Sequence, residues 1–369
     1  MLKGRATAEG TTAYASRFPN LPGNFRPLIG VAASSIGIGT YLGEPDEETD
    51  REYEAAVAAA VRGGINLIDT AVNYRFQRGE RTIGRVIADL VARGEIKREE
   101  IIVATKGGYI TFDGEVPANP RAWFEEHFVR TGLVGPDDMV DGSHCMTPKW
   151  LGAMIEISRA NLGLETIDIY YLHNPETQLN EVSRPEFLSR IRAAFEMLER
   201  AVADGKIGVY GTATWNGYRV PATERGWLSL DELWRVAHEV GGDSHHFRAL
   251  QLPYNLAMPE AVTLANQPVG QQKGTTLAVA SAMGLGVCAS ASLLQGRLAA
   301  GLPPILREAF AEFGSDAQRS IQFVRSTPGV NVALVGMKSG AHVADTLATA
   351  SHAPATQEQL MKLFEPAKS

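Results

Sequence analysis

The chain has 369 residues, 44 % apolar and 21 % charged, a length and composition that suit one large or two modest hydrophobic cores in a globular protein. A net charge of −7 with scattered basic residues leaves no nucleic-acid footprint, and no apolar run approaches the ~18–20 residues that span a bilayer. The start, Met1 to Ala6, lacks the apolar stretch of a secretory signal. The two cysteines, Cys145 and Cys288, lie far apart in unlike contexts, so free thiols in a cytoplasmic, reducing setting are expected. No metal site is expected: the eight histidines are scattered, and the pair His245-His246 has neither the spacing nor the partners of a ligand set.

Residues 1–30 have no clear period and read as an extended N-terminal lead-in. A first strand over Ser34–Tyr41 is followed by the acidic stretch from Glu44 and a helix over Tyr53–Val61, whose N-terminus those acids suit by helix polarity. Strand Ile65–Asp69 then leads to helix Glu80–Arg93, and strand Ile101–Thr105 leads, after a long interruption, to helix Pro148–Leu162. Strand Ile167–Leu172 precedes helix Pro185–Asp204, and strand Gly208–Thr212 precedes helix Leu230–Val240, opened by the capping box Ser229 to Glu232. Strands Ala249–Leu252, Gly286–Ser290 and Val332–Val335 pair with helices at Thr275–Met283, from Ser315, and at Ala341–Ala350.

Short apolar strands joined by helical crossovers imply parallel pairing, and eight such units imply an α/β fold closed as a (β/α)8 TIM barrel rather than an open sheet. No G-x-G-x-x-G links the first strand to its helix, against a Rossmann fold. The expected organisation is a lead-in at 1–30, a single barrel domain over 31–355, and a C-terminal helix or tail over 356–369. The long loop inserted after the third strand, 109–146, carries Trp123, Phe124, His127, Phe128 and His144. Following a strand, it belongs over the C-terminal face as a substrate lid or as a packing or oligomer loop.

In a barrel the chemistry gathers at the C-terminal ends of strands. There the chain offers Asp69, with Tyr74 just beyond, then Lys106 and then His173. Each alone has a structural reading. Together they form a proton-transfer set: an ammonium stabilises a phenolate, a carboxylate holds the ammonium, and an imidazole binds the oxygen on which charge develops.

Leu67 to Ala71 with Tyr74, Gly79-Glu80 and Ile83-Gly84 resemble the signature of the aldo-keto reductase superfamily. The similarity continues through Ala104-Thr105-Lys106, Ile167 to His173, Gly205-Lys206-Ile207, Gln251 to Asn255, and Leu293, Gly296 and Leu298, covering about Val31 to Ala350. The resemblance implies an oxidoreductase that reduces a small aldehyde, ketone or sugar-derived carbonyl with NADPH, or with NADH as the alternative. It assigns Tyr74 as general acid, Lys106 and Asp69 as the groups that tune it, and His173 as the group that orients the carbonyl. It implies cofactor contacts at Thr40, Thr214, Gln251, Ser290, Leu293 and Gly296, and phosphate contacts at Gly336, Lys338, Ser339 and His342. Tyr41 and Trp215, with Trp123 and Phe124, suggest an aromatic-lined substrate pocket, with core packing as the alternative.

The chain departs from the family where the nicotinamide is held. Gly211-Thr212-Ala213-Thr214-Trp215 replaces the usual serine and asparagine by Ala213 and Thr214, and Ser290 stands where an aromatic ring stacks. Each loss weakens nicotinamide placement by roughly 1–3 kcal/mol. Two alternatives therefore keep the barrel: a non-redox lyase- or isomerase-like enzyme using the same proton machinery, and a nucleotide-sensing accessory subunit.

Overall fold

Strands with two apolar faces need cover on both, and the chain supplies it by closing eight of them into a barrel. The structure is a computed structural model and describes residues 1–135 and 137–361. The barrel strands are β1 (Ile36–Gly39), β2 (Leu67–Asp69), β3 (Ile102–Gly107), β4 (Ile167–His173), β5 (Ile207–Ala213), β6 (Phe247–Pro253), β7 (Gly286–Ser290) and β8 (Val332–Gly336). All pair in parallel with their sequence neighbours, and β8 returns to β1. The crossover helices include α1 (Glu47–Arg62), α2 (Arg78–Ala92), α3 (Pro148–Leu162), α4 (Arg184–Ala203) and α5 (Leu230–Gly241). They continue with α6 (Thr276–Ala282), α7 (Asp316–Ser326) and α8 (Gly340–Ala350). The predicted (β/α)8 barrel is therefore present.

Strand alternation decides which residues face inward. Leu67, Ile102, Ala104, Ile169, Tyr171, Ala249, Cys288 and Leu334 form one buried cluster inside the barrel. Their neighbours Ile68, Val103, Tyr170 and Leu172 join the larger core beneath the helices. Continuing the inward alternation by one step reaches Asp69, Lys106, His173, Gln251 and Ser290. The polar top layer is thus the last inward position of five strands. Register sets their relative height: Asp69 pairs with Ala104, Lys106 with Tyr171, and His173 with Ala213.

The first 30 residues differ from the expected extended lead-in. They contain a helix at Ala8–Ala15, N-capped by Thr7. Strand Phe25–Leu28 then forms an antiparallel hairpin with Val31–Ser34, so the predicted first strand is split at Ser35 between the hairpin and β1. The hairpin turn is Ile29-Gly30, both at positive φ (46° and 87°), the backbone usually signalled by Asn-Gly. With isoleucine at the first position the turn carries no compositional flag. Leu28 and Ala33 of the hairpin join the interior cluster and close the N-terminal end of the barrel.

The inserted loop after β3 returns on itself through bridges Tyr109–His144 and Val140–His144. It contains a short helix, Pro120–Phe124, and an aromatic seam in which Phe128 meets Trp150 at a ring distance of 5.0 Å. Of the expected C-terminal helix, Gln357–Met361 is helical; residues 362–369 lie outside the described part. Among the described residues no helix is long and apolar enough to cross a membrane.

Candidate active site

Lys106 is fully buried, and its ammonium makes three contacts. Nζ donates to Asp69 Oδ2 at 2.7 Å, to the Thr70 carbonyl at 2.7 Å and to Tyr74 Oη at 3.3 Å. Asp69 Oδ1 accepts from Gln251 Nε2 at 2.7 Å. The carboxylate is therefore satisfied on both oxygens, which makes a buried charge tolerable. From the outer side of β3, Thr105 donates to the buried Glu80 of α2 at 2.6 Å, and Glu80 also accepts from Asn161 of α3 at 2.9 Å. This network fixes the strand end beside Lys106.

Tyr74 stands on the turn after β2. The next three residues, Arg75, Phe76 and Gln77, are all left-handed (φ 48°, 53° and 73°). Arg75 turns inward onto Asp50 of α1, which also binds Arg78 at 2.8 Å. This ion-pair cluster holds an otherwise unfavourable backbone and with it the phenol. The ring meets Tyr41 at 5.0 Å and His173 at 6.0 Å, both edge-on. Burial raises the Tyr74 phenol above its ordinary value, and Lys106 pulls it back only in part. Lys106 thus favours the phenolate as expected, and burial outweighs it. Burial also disfavours the Lys106 ammonium, but Asp69 and Tyr74 overcome it and hold that group above its usual value.

His173 is neutral: burial, then the Lys106 charge and His144, push its imidazole well below the usual range. Its Nδ1 is buried with no protein partner, which leaves Nε2 as the nitrogen available to a substrate. The structure thus brings Asp69, Tyr74, Lys106 and His173 to one end of the barrel, in contact or ring-to-ring.

The residues predicted around a nucleotide are placed as follows. Thr40 is buried and donates to the Asp69 carbonyl at 3.2 Å. Gln251 spends its amide N–H on Asp69. Thr214 is 4 % exposed, and its Oγ1 has no protein partner. Ser290 ends β7, and Leu293 and Gly296 lie on the following turn, where Leu294, Gln295 and Gly296 all have positive φ (47°, 55° and 87°). Gly336 ends β8 exposed, with nothing within 4 Å of where a Cβ would stand. Ser339 caps α8 by accepting from the His342 amide at 3.3 Å, and the His342 side chain is exposed. Lys338 is bound to Glu52 of α1 at 2.7 Å. Tyr41 and Trp215 are 56 % and 41 % exposed at the mouth. Among the described residues no cluster of three or more histidine, cysteine or acidic side chains could hold a metal.

Glu176 escaped the sequence reading. It is buried, and its Oε1 accepts the backbone N–H groups of Trp215, Asn216 and Gly217 at 2.7, 3.0 and 3.2 Å, pinning the loop that carries Thr214 and Trp215. An acid three residues after His173 was the available signal, but its partners are backbone amides that no side-chain pattern reveals.

A family model described as the aldo/keto reductase family matches residues 35–365. Among curated proteins, D-threo-aldose 1-dehydrogenase of a Pseudomonas species is 28 % identical over 185 residues, 50 % of this chain and 49 % of that protein. NADH-specific methylglyoxal reductase of Escherichia coli (strain K12) is 27 % identical over 188 residues, 50 % of this chain and 49 % of that one. The chain thus matches about half the length of these relatives. An aldo/keto reductase structure from Klebsiella pneumoniae, in complex with NADP and acetate, superimposes with a TM-score of 0.62 at 23 % identity, covering 93 % of this chain and 94 % of that one.

Proposed function

The chain belongs to the aldo/keto reductase family, and from that premise we propose that it reduces the carbonyl of a small aldehyde, ketone or sugar-derived substrate with a nicotinamide cofactor. The observation that carries this reading is the buried array in which one ammonium, Lys106, touches both Asp69 and Tyr74.

A reductive step needs a proton donor that holds its proton until charge appears. The raised Tyr74 phenol is such a donor at neutral pH. As negative charge gathers on the carbonyl oxygen, Tyr74 Oη gives up its proton and becomes phenolate. The Lys106 ammonium at 3.3 Å stabilises that anion. Asp69 keeps the ammonium charged and in place. Neutral His173 donates its Nε2 proton as a hydrogen bond to the same oxygen, the electrostatic stabilisation such a transition state needs. Tyr41 and Trp215 flank the entrance as apolar walls for the substrate.

A reduced nicotinamide, when bound, supplies hydride for the carbonyl carbon. The residues present fit such a group. Thr214 Oγ1, buried and without a protein partner, offers the carboxamide a hydrogen bond. The open space above Gly336, with Lys338, Ser339 and His342 beyond, suits phosphates at the end of β8. NADPH is the first expectation and NADH the alternative: the Klebsiella structure contains NADP, and the Escherichia coli relative is named NADH-specific. The buried free thiols Cys145 and Cys288 suit a reducing, cytoplasmic setting.

Titration with NADPH and with NADH, followed by nucleotide fluorescence, combined with turnover of an aldehyde panel, tests the reading. Saturable binding with consumption of the nucleotide is expected. Failure to bind either nucleotide at high concentration would overturn it.

A further inference from the structure

We propose that His144, delivered by the inserted segment 109–146, is a positioning residue for His173, so that the segment braces the carbonyl-orienting group. The inference rests on the reading of His173 as that group.

His173 has no hydrogen bond to its buried Nδ1, so its orientation must come from elsewhere. Besides the edge-on Tyr74 ring, two contacts bear on it, one to its backbone and one to its ring, and both belong to the inserted segment. His144 Nε2 lies 2.7 Å from the His173 carbonyl oxygen. Tyr109 stands edge-on to the His173 ring at 5.0 Å and 90°. Tyr109 is itself held by Asn174 Nδ2 at 3.0 Å, while the Asn174 backbone N–H donates to the Ala213 carbonyl of the neighbouring strand β5 at 2.6 Å.

The direction of the His144 hydrogen bond is forced from both ends. Arg190 of α4 can only donate, and its Nη1 lies 2.7 Å from Gln178 Oε1. Gln178 Nε2 therefore donates to His144 Nδ1 at 2.8 Å. The Nδ1 lone pair being used, the proton of neutral His144 sits on Nε2, facing a carbonyl that can only accept. The chain from Arg190 through Gln178 and His144 to His173 has one consistent polarity. His144 and Gln178 are buried at 1 % and 0 % exposure, and burial drives the His144 pKa down to about 4, so the ring stays neutral.

Gly108 supplies the room. It has φ +152°, and a Cβ there would stand 2.8 Å from the His173 carbonyl oxygen and 2.9 Å from His144 Nε2. The glycine two residues after Lys106 keeps open the space in which the bond forms.

Histidine-15N labelling of the unsubstituted protein tests the polarity directly. His144 is expected as the Nε2–H tautomer with a slowly exchanging proton; the Nδ1–H tautomer would overturn the proposal. His144→Leu is expected to lower kcat by roughly 10- to 100-fold, the order that misplacement of a reacting group brings, with nucleotide Kd unchanged and the His173 ring signals shifted. His144→Gln keeps a donor within reach of the carbonyl and is expected to restore both. Gly108→Ala attacks the same contact from the other side and is expected to behave like His144→Leu. Native kcat and native His173 signals in a folded His144→Leu protein would overturn the brace. The tautomer and ring signals need no turnover, so a wild-type protein without reductase activity would sink the proposed reaction and leave the brace to be decided by the spectra.

Discussion

Replacing Lys106 by methionine removes the positive charge that contacts the Tyr74 hydroxyl while keeping most of the side-chain volume. At 3.3 Å from Tyr74 Oη, and with an effective dielectric constant of about 20, the ammonium stabilises phenolate by roughly 5 kcal/mol. That corresponds to about 10³- to 10⁴-fold in the acidity of the phenol. Because the proton is only part-way transferred in the transition state, kcat should fall by roughly 10²- to 10⁴-fold, the range of general acid catalysis. Steady-state reduction at saturating nucleotide measures this, and nucleotide affinity should stay near wild type. In the oxidative direction Tyr74 must act as phenolate, so loss of the cation moves the alkaline rise of activity to higher pH. The substitution also strands Asp69 with Gln251 as its remaining side-chain partner, a loss of about 3–5 kcal/mol in stability, which Asp69→Asn in the same chain should partly recover. An unchanged kcat and an unmoved alkaline limb in a folded Lys106→Met protein would refute the tuning role.

Three further outcomes follow from the same geometry. The His144 pKa of about 4 lies below the ordinary histidine value, so the unfolded chain binds that proton first as pH falls. Stability should decline by up to about 3 kcal/mol between roughly pH 6.5 and pH 4, and urea denaturation of His144→Gln should show a shallower decline. Asp50→Ala removes the partner of buried Arg75 and of Arg78, which should cost about 3–5 kcal/mol in urea denaturation and lower kcat through the displaced Tyr74 turn; native stability would contradict the role given to this cluster. Glu52→Gln frees Lys338 from its ion pair and should strengthen NADPH binding relative to NADH, whereas equal changes for both nucleotides would remove Lys338 from the phosphate contact.

The barrel was legible because each strand is a short apolar run ending at a turn, and the alternation inside that run fixes which residues face inward. Asp69, Lys106 and His173 could therefore be placed together from strand ends alone. The hairpin that closes the opposite end was not legible, since its turn is Ile29-Gly30 and its strands are too short to show a period. The brace on His173 was equally hidden. His144 lies 34 residues from Gln178 and 29 from the carbonyl it serves, and one end of its chain is a backbone group. Glu176 likewise spends its carboxylate on backbone amides. Only part of what sets the acidity of Tyr74 was legible: the lowering by a nearby ammonium can be read from strand ends, whereas the opposing effect of burial depends on the whole packed surface. The nucleotide contacts were read from matched positions, and there the fold adds what sequence omits: Lys338 already has Glu52 as a partner, and Gln251 is bound to Asp69.

Tyr74→Phe removes a single hydroxyl and leaves the ring in its contacts with Tyr41 and His173. Single-turnover nucleotide oxidation at saturating carbonyl substrate, compared between Tyr74→Phe and wild type, addresses the proton-transfer claim most directly. Undiminished nucleotide binding with hydride transfer slowed by roughly 10²-fold or more is the predicted result. Hydride transfer at the wild-type rate in Tyr74→Phe would contradict the assignment of Tyr74 as the general acid.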